Sequence, residues 1–377
     1  MPDIVYIDDK PEDFMAVAEG EQKSKIQPFS YEENENPEEA FAAAKRAHVW
    51  LFDFFLFANR RSEANDENGL SLFQKWRAAV GGGRPTTVLI SSALESAVKE
   101  PLGPVERHHV VAQARGVEWI GDKSGETLRR LLELADGVNL IAEALQPTGE
   151  DGKKFGTYEL EQLCVDVLGV PREAEWAHSA QRHVDRARPP REVPIESPAA
   201  TARVIIGWLI SHVLPYPSFL LTDAQAALRL QIMPDSFRSL ADAAKVDEQH
   251  RATLTACRYT GPLAEFLGRR WWRAGIDDLA WQLSEAEGGF SAALETLAGD
   301  VPVERLDGLD EPVLVSDADL VETSEVAEAR ECVRITDEDF PANVEPAWVR
   351  IADVRENRDL AAKVIFEDRD LVEMATS

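Results

Sequence analysis

Cysteine, basic residues and long apolar runs are all scarce in this chain. The three cysteines among 377 residues, Cys164, Cys257 and Cys332, fall at no metal-ligand spacing. So sparse and odd a set argues against a disulfide framework and fits reduced thiols in the cytoplasm. Lys and Arg number 40 against 68 Asp and Glu, a net charge of −28. The deficit runs throughout: −9 over 1–146, −6 over 147–300 and −13 over 301–377. A chain acidic in every third is ill-suited to nonspecific binding of nucleic acid or anionic membrane. The longest apolar run, Val204 to Leu214, has eleven residues and ends at Pro215. It is too short to span a bilayer, and we expect a buried helix there. The first residues, MPDIVYIDDKPEDF, lack the basic flank and apolar run of a signal peptide. No repeat of solenoid period is present, and no P-loop, zinc motif or hydrolase elbow.

The first 146 residues instead alternate short apolar runs with helical patterns. Strands are expected at Ile4–Ile7, Lys25–Ser30, His48–Phe52, Thr86–Ile90 and Val117–Ile120. Between them, PEEAFAAAKRA, Gly69–Val80, Glu106–Arg115 and Gly125–Ala135 have helical spacing. Such alternation predicts an α/β fold, a doubly wound parallel sheet covered on both faces. Functional groups of these sheets gather beyond the carboxyl ends of the strands. There the sequence places Asp8 and Asp9 after the first strand, Asp53 after the third, Ser91 after the fourth and Lys123 after the fifth. Three carboxylates held together need a cation, and hard oxygen ligands suit Mg²⁺. A carboxylate can also attack phosphorus to give an aspartyl phosphate, with an ammonium and a hydroxyl holding the phosphoryl oxygens.

The ordered set YIDDKPED, WLFDF, GLSLFQKWR, VLISSA and GVEWIGDKS, within about residues 1–135, resembles the receiver domain of two-component response regulators. A haloacid-dehalogenase-like phosphatase uses similar groups, but its acidic pair comes late rather than first. The resemblance implies a five-stranded sheet in the order 2-1-3-4-5. It implies Asp53 as phosphoacceptor, with Ser91 and Lys123 on the phosphoryl group. It also implies Mg²⁺ held by Asp8, Asp9, Asp53 and the backbone carbonyl of Phe55. The donor would be a histidine kinase, a phosphotransfer protein or a small phosphodonor. Beyond self-phosphorylation and autodephosphorylation, no enzymatic activity is expected. This sequence departs from the receiver pattern in a longer stretch from Asp53 to Gly69, in Ser124 after the lysine, and in Trp119-Ile120 before it. Asp122 adjoins Lys123 and is placed to compete for its charge.

The remainder divides by composition into 147–198, a helix and an Arg/Pro-rich connector; 199–300, mainly α-helical; and 301–377, a small acidic α+β or β-rich region. Leu221 to Leu240 resembles a helix-turn-helix, whose second helix would read DNA through Ser236, Arg238 and Ser239. Its weak positive charge favours a protein partner or self-association as the output, with a DNA-binding regulator as the alternative. A receiver-shaped scaffold that is never phosphorylated is a further alternative. The run Arg269-Arg270-Trp271-Trp272-Arg273 reads as helical, with one tryptophan in the core and the other exposed to stack a base or meet a partner.

Overall fold

A computed structural model describes residues 3–31, 37–56, 68–98, 102–145, 166–190, 198–246, 251–338, 340–341 and 344–374. They form two compact units, Met1–Leu168 with Pro189–Ser211 and Gly261–Leu267, and Gly169–Arg188 with His212–Thr260 and Gly268–Ser377. No helix among the described residues is long and apolar enough to cross a membrane.

The first unit is built on five parallel strands, β1 (Ile4–Asp8), β2 (Ile26–Ser30), β3 (Val49–Asp53), β4 (Thr86–Ile90) and β5 (Trp119–Gly121). Their order is β2-β1-β3-β4-β5, the order that the resemblance implies. Every residue of β1, β3, β4 and β5 is buried, which is why these strands are unbroken apolar runs and not alternating ones. Strand β2 lies at the edge and tolerates Pro28, since an edge strand can forgo an amide donor. After β3 comes helix α4 (Gly69–Val80), capped by Asn68, whose side chain accepts the Ser71 amide at 2.8 Å. It buries Leu72, Phe73 and Trp76 on the sheet. Trp76 meets Trp50 and Phe52 edge-on at 5.7 and 5.3 Å, and the Trp50 indole N–H donates to the Ala44 carbonyl at 2.7 Å. Helix α7 (Gly125–Ala144) follows β5, capped by Ser124. Its Arg129 and Arg130 both donate at 2.9 Å, to the carbonyls of Glu265 and Phe266. Part of the long apolar run lies in a helix at Pro198–Trp208, continued by a π-helical turn at Leu209–Val213.

In the second unit, helices at Asp223–Arg229 and Pro234–Val246 match the two arms of the expected helix-turn-helix. The first carries a full capping box from Thr222 and Gln225. The double tryptophan corrects the sequence reading. Trp271 and Trp272 form a two-residue strand paired with Leu220–Leu221, so their rings point to opposite faces, and both are buried. Trp271 packs on Phe237 and donates from Nε1 to Asp223; Trp272 packs among Phe219, Tyr259 and Trp176. The arginines beside them also turn inward. Arg269 pairs with Asp223 at 2.6 Å and Asp242 at 2.8 Å, and Arg270 donates to the Leu214 carbonyl at 2.9 Å.

The C-terminal region is α+β. A four-stranded sheet in the order Cys332–Ile335, Ala347–Arg350, Pro312–Ser316, Glu322–Glu328 is followed by short helices. The segment KVIFEDRDLV is mostly helical. Asp368 is drawn into a bidentate pair with Arg334, at 2.7 and 3.0 Å, which fixes a helical turn there.

Candidate functional site

Parallel pairing brings the carboxyl ends of β1, β3 and β4 level, with Ile7 opposite Phe52 and Asp53 opposite Ile90. Asp8 and Asp53 end their strands, and Ser91 follows the end of β4 by one residue. Lys123, two residues past β5, reaches back between the carboxylates. Its Nζ lies 2.7 Å from Asp8 Oδ2 and 3.2 Å from Asp53 Oδ2. Asp8, Asp9 and Asp53 each present an oxygen within 4.8 Å of the others. Both oxygens of Asp8 accept hydrogen bonds: the Tyr6 hydroxyl donates to Oδ2 and the Lys10 amide to Oδ1. Asp53 differs. Its Oδ1 is buried and meets no donor among the described residues, a costly state for a carboxylate oxygen.

The electrostatics follow from this asymmetry. Burial raises the pKa of Asp8, but hydrogen bonds from Lys123, Tyr6 and the Lys10 amide outweigh it, so the carboxyl lies below its usual value. Burial, and then the Asp8 charge, push Asp53 up to about 7 against the opposing pull of Lys123. Asp9 is raised by burial and by Asp8. Burial lowers Lys123, but its bonds and charges with Asp8 and Asp53 leave it raised, so it stays an ammonium. The bare Asp53 oxygen, beside two further hard oxygen donors, fits a small divalent cation such as Mg²⁺.

The remaining expected residues fall as follows. The Ser91 hydroxyl is fully buried and accepts the Ala93 amide at 3.2 Å. Phe55 lies two residues past Asp53 with an exposed ring. Asp122 does not compete for Lys123; it accepts from the hydroxyls of Ser124 and Thr127, at 2.5 and 2.7 Å, and anchors the start of α7. The long stretch after Asp53 falls largely on 57–67, outside the described residues. Two contributors were missed from the sequence. Tyr6 stands two residues before Asp8, and the period of a strand puts both on one face; in a buried strand it passed for core. Gly69 opens α4 against the site, its amide donating to Phe54 O at 3.0 Å. A Cβ at Gly69 would lie 1.8 Å from the Asp53 carbonyl oxygen. Gly69→Ala should therefore push α4 off Asp53 and cost about 2–3 kcal/mol, read as a lower denaturant midpoint at unchanged slope.

The proposed DNA-reading residues belong to the second unit and are engaged locally. Ser236 Oγ accepts the Glu304 amide, and Ser239 Oγ donates to the Asp235 carbonyl. Arg238 pairs with Asp235 at 2.8 Å and donates to Ser324 Oγ at 3.3 Å. No family model matches the chain, and neither does any curated protein or solved structure.

Proposed function

We propose that the first unit is a receiver-type phosphoacceptor and that Asp53 takes the phosphoryl group. The observation that carries this reading is the arrangement around Asp53. One oxygen is held by Lys123 and the other is buried without a donor among the described residues, beside Asp8 and Asp9 at the carboxyl edge of a 2-1-3-4-5 sheet. In the reaction, an Asp53 oxygen attacks phosphorus on a phosphohistidine of a kinase or phosphotransfer protein, or on a small acyl phosphate. The new O–P bond forms as the bond from phosphorus to the donor breaks, and the donor leaves with that electron pair and takes up a proton. Lys123 holds a phosphoryl oxygen, and the Ser91 hydroxyl turns to a second. Asp8, Asp9, Asp53 and the Phe55 carbonyl would hold Mg²⁺, which would supply neutralisation of the remaining phosphoryl charge. Water attack on the acyl phosphate later releases inorganic phosphate and returns the carboxylate.

As output, we assign the helices of the second unit to a protein partner or to self-association. The DNA-binding alternative keeps one supporting observation, the capped helix pair at 223–246. Arg269 and Arg270, which a phosphate-contacting face would need, are turned inward. Selective DNA binding that falls steeply with salt and is lost in Arg238→Ala would favour that alternative.

The test of the phosphoacceptor is phosphoryl uptake from a small acyl phosphate, followed by intact mass. Wild type should gain one group with Mg²⁺ and none in excess chelator. Lys123→Ala should slow uptake by about a hundredfold, as expected for loss of a charge aimed at the transferring group. Uptake independent of both Mg²⁺ and Lys123 would refute the assignment.

A further inference from the structure

A second polar site lies at the other end of the sheet strands from Asp53. A cavity of about 360 Å³ opens beside the segments that lead into β4 and β5, lined by Gln74, Arg77, Ala78, Gly81, Arg84 and Arg203. Three arginines around one cavity stand out in a chain of net charge −28. Helix α4 supplies Gln74, Arg77 and Ala78 on one face, by their i, i+3, i+4 spacing.

Arg84 is almost fully buried and makes a bidentate pair with Glu118 at 2.8 and 2.9 Å, and it donates to the Gly116 carbonyl at 3.0 Å. Glu118 also faces Arg203, at 3.5 Å. One carboxylate thus serves two guanidinium groups. The third, on Arg77, lies over Gly116, where a Cβ would come within 2.7 Å of Nη1. Its guanidinium makes no hydrogen bond or ion pair among the described residues. Burial holds the Arg203 pKa below its usual value; Glu118 opposes this, and the charges of Arg84 and Arg77 add to it. Like charges crowded beside low-dielectric walls concentrate a field that attracts anions.

We propose that this cavity binds a small phosphate-bearing anion. An arginine-lined cavity of this size matches the charge and oxygens of a phosphate. Planar guanidinium forks suit phosphate oxygens, and among the described residues the Arg77 guanidinium and the Gln74 amide have no other engagement. The volume is at the lower end of small-molecule sites, which run from about 300 Å³. It exceeds what a bare phosphate fills, so a compact phosphorylated molecule fits as well as the free ion. None of these residues belongs to the Asp53 site, so the inference stands independently of phosphoryl transfer.

Calorimetric titration of the full chain, in chelator and without Mg²⁺, provides the test, with inorganic phosphate, adenosine monophosphate and adenosine as probes. Phosphate, the nucleotide or both should bind saturably, and adenosine should not. Equal affinities for the two phosphates identify the free ion as sufficient; tighter nucleotide binding identifies a phosphorylated small molecule. Arg77→Ala and Arg77→Gln should each weaken binding about tenfold, or about 1.4 kcal/mol. The unliganded melting temperature should not change, because Arg77 is exposed and makes no bond that folding needs. Asp53→Asn should bind as wild type does. The proposal fails if neither phosphate saturates by about 10 mM, if adenosine binds as well as its phosphate, or if both Arg77 variants keep full affinity.

Discussion

Asp53→Asn should take up no phosphoryl group from an acyl phosphate and Mg²⁺, and it should fold as wild type does. Asparagine keeps the shape of the side chain and removes its nucleophilic oxygen, so uptake should fall to background and not merely slow. The same substitution has a second consequence, in the absence of divalent cations. Asp53 holds its proton up to about pH 7 in the folded chain, whereas in an unfolded chain it releases it near about 3.9. Between those values the folded state binds the extra proton, so wild-type stability falls as pH rises. The slope approaches about 1.4 kcal/mol per pH unit for this one group. Asp53→Asn lacks it, and gains stability over wild type as pH rises from about 4 to about 7. Denaturant melts of both proteins at several pH values, in chelator, check this. A wild-type curve parallel to that of the variant would show that Asp53 is not held protonated.

Asp223→Ala should produce the largest loss of stability in the second unit. Asp223 accepts Arg269 through Nε at 3.0 Å and Nη2 at 2.6 Å, and the Trp271 indole at 2.7 Å. The Arg269 side chain is 8% exposed, and these bonds and charges raise its pKa against the cost of burial, so it cannot escape by losing its proton. Removing Asp223 leaves a buried guanidinium with Asp242 alone, an exposed carboxylate. Breaking a buried pair from one side costs about 3–5 kcal/mol. Urea unfolding followed by tryptophan fluorescence reads the effect as a lower midpoint. A loss under about 1 kcal/mol would mean the pair is worth no more than a surface one.

The sheet was legible because four of its strands are buried on both faces. Runs such as IVYID, VWLFD and TTVLI need no alternation, and each ends in a polar residue or is followed by one where the chain leaves the core. The order of Asp8, Asp9, Asp53, Ser91 and Lys123 along the chain therefore pointed to one edge of the sheet. What stayed hidden depends on contacts between distant residues. A two-residue strand has no periodicity, so Trp271-Trp272 passed for part of a helix. The run of arginines beside it looked available because its partners, Asp223 and Asp242, lie 46 and 27 residues away. Gly69 gave no local signal, since its need for a missing side chain arises only where α4 meets the Asp53 carbonyl. Asp122 was misjudged for a different reason. Adjacency to Lys123 in sequence counted for less than the hydroxyls of Ser124 and Thr127, which claim it for the helix start.

The most direct test of the central claim is to locate the phosphoryl group. Wild-type chain is incubated with Mg²⁺ and a small acyl phosphate, reduced with borohydride to trap any acyl phosphate, and mapped by peptide mass. The account predicts a single modified position, Asp53, converted to the reduced side chain that only an aspartyl phosphate yields. Modification at another carboxylate, a phosphate stable on a hydroxyl, or an unmodified chain would contradict it.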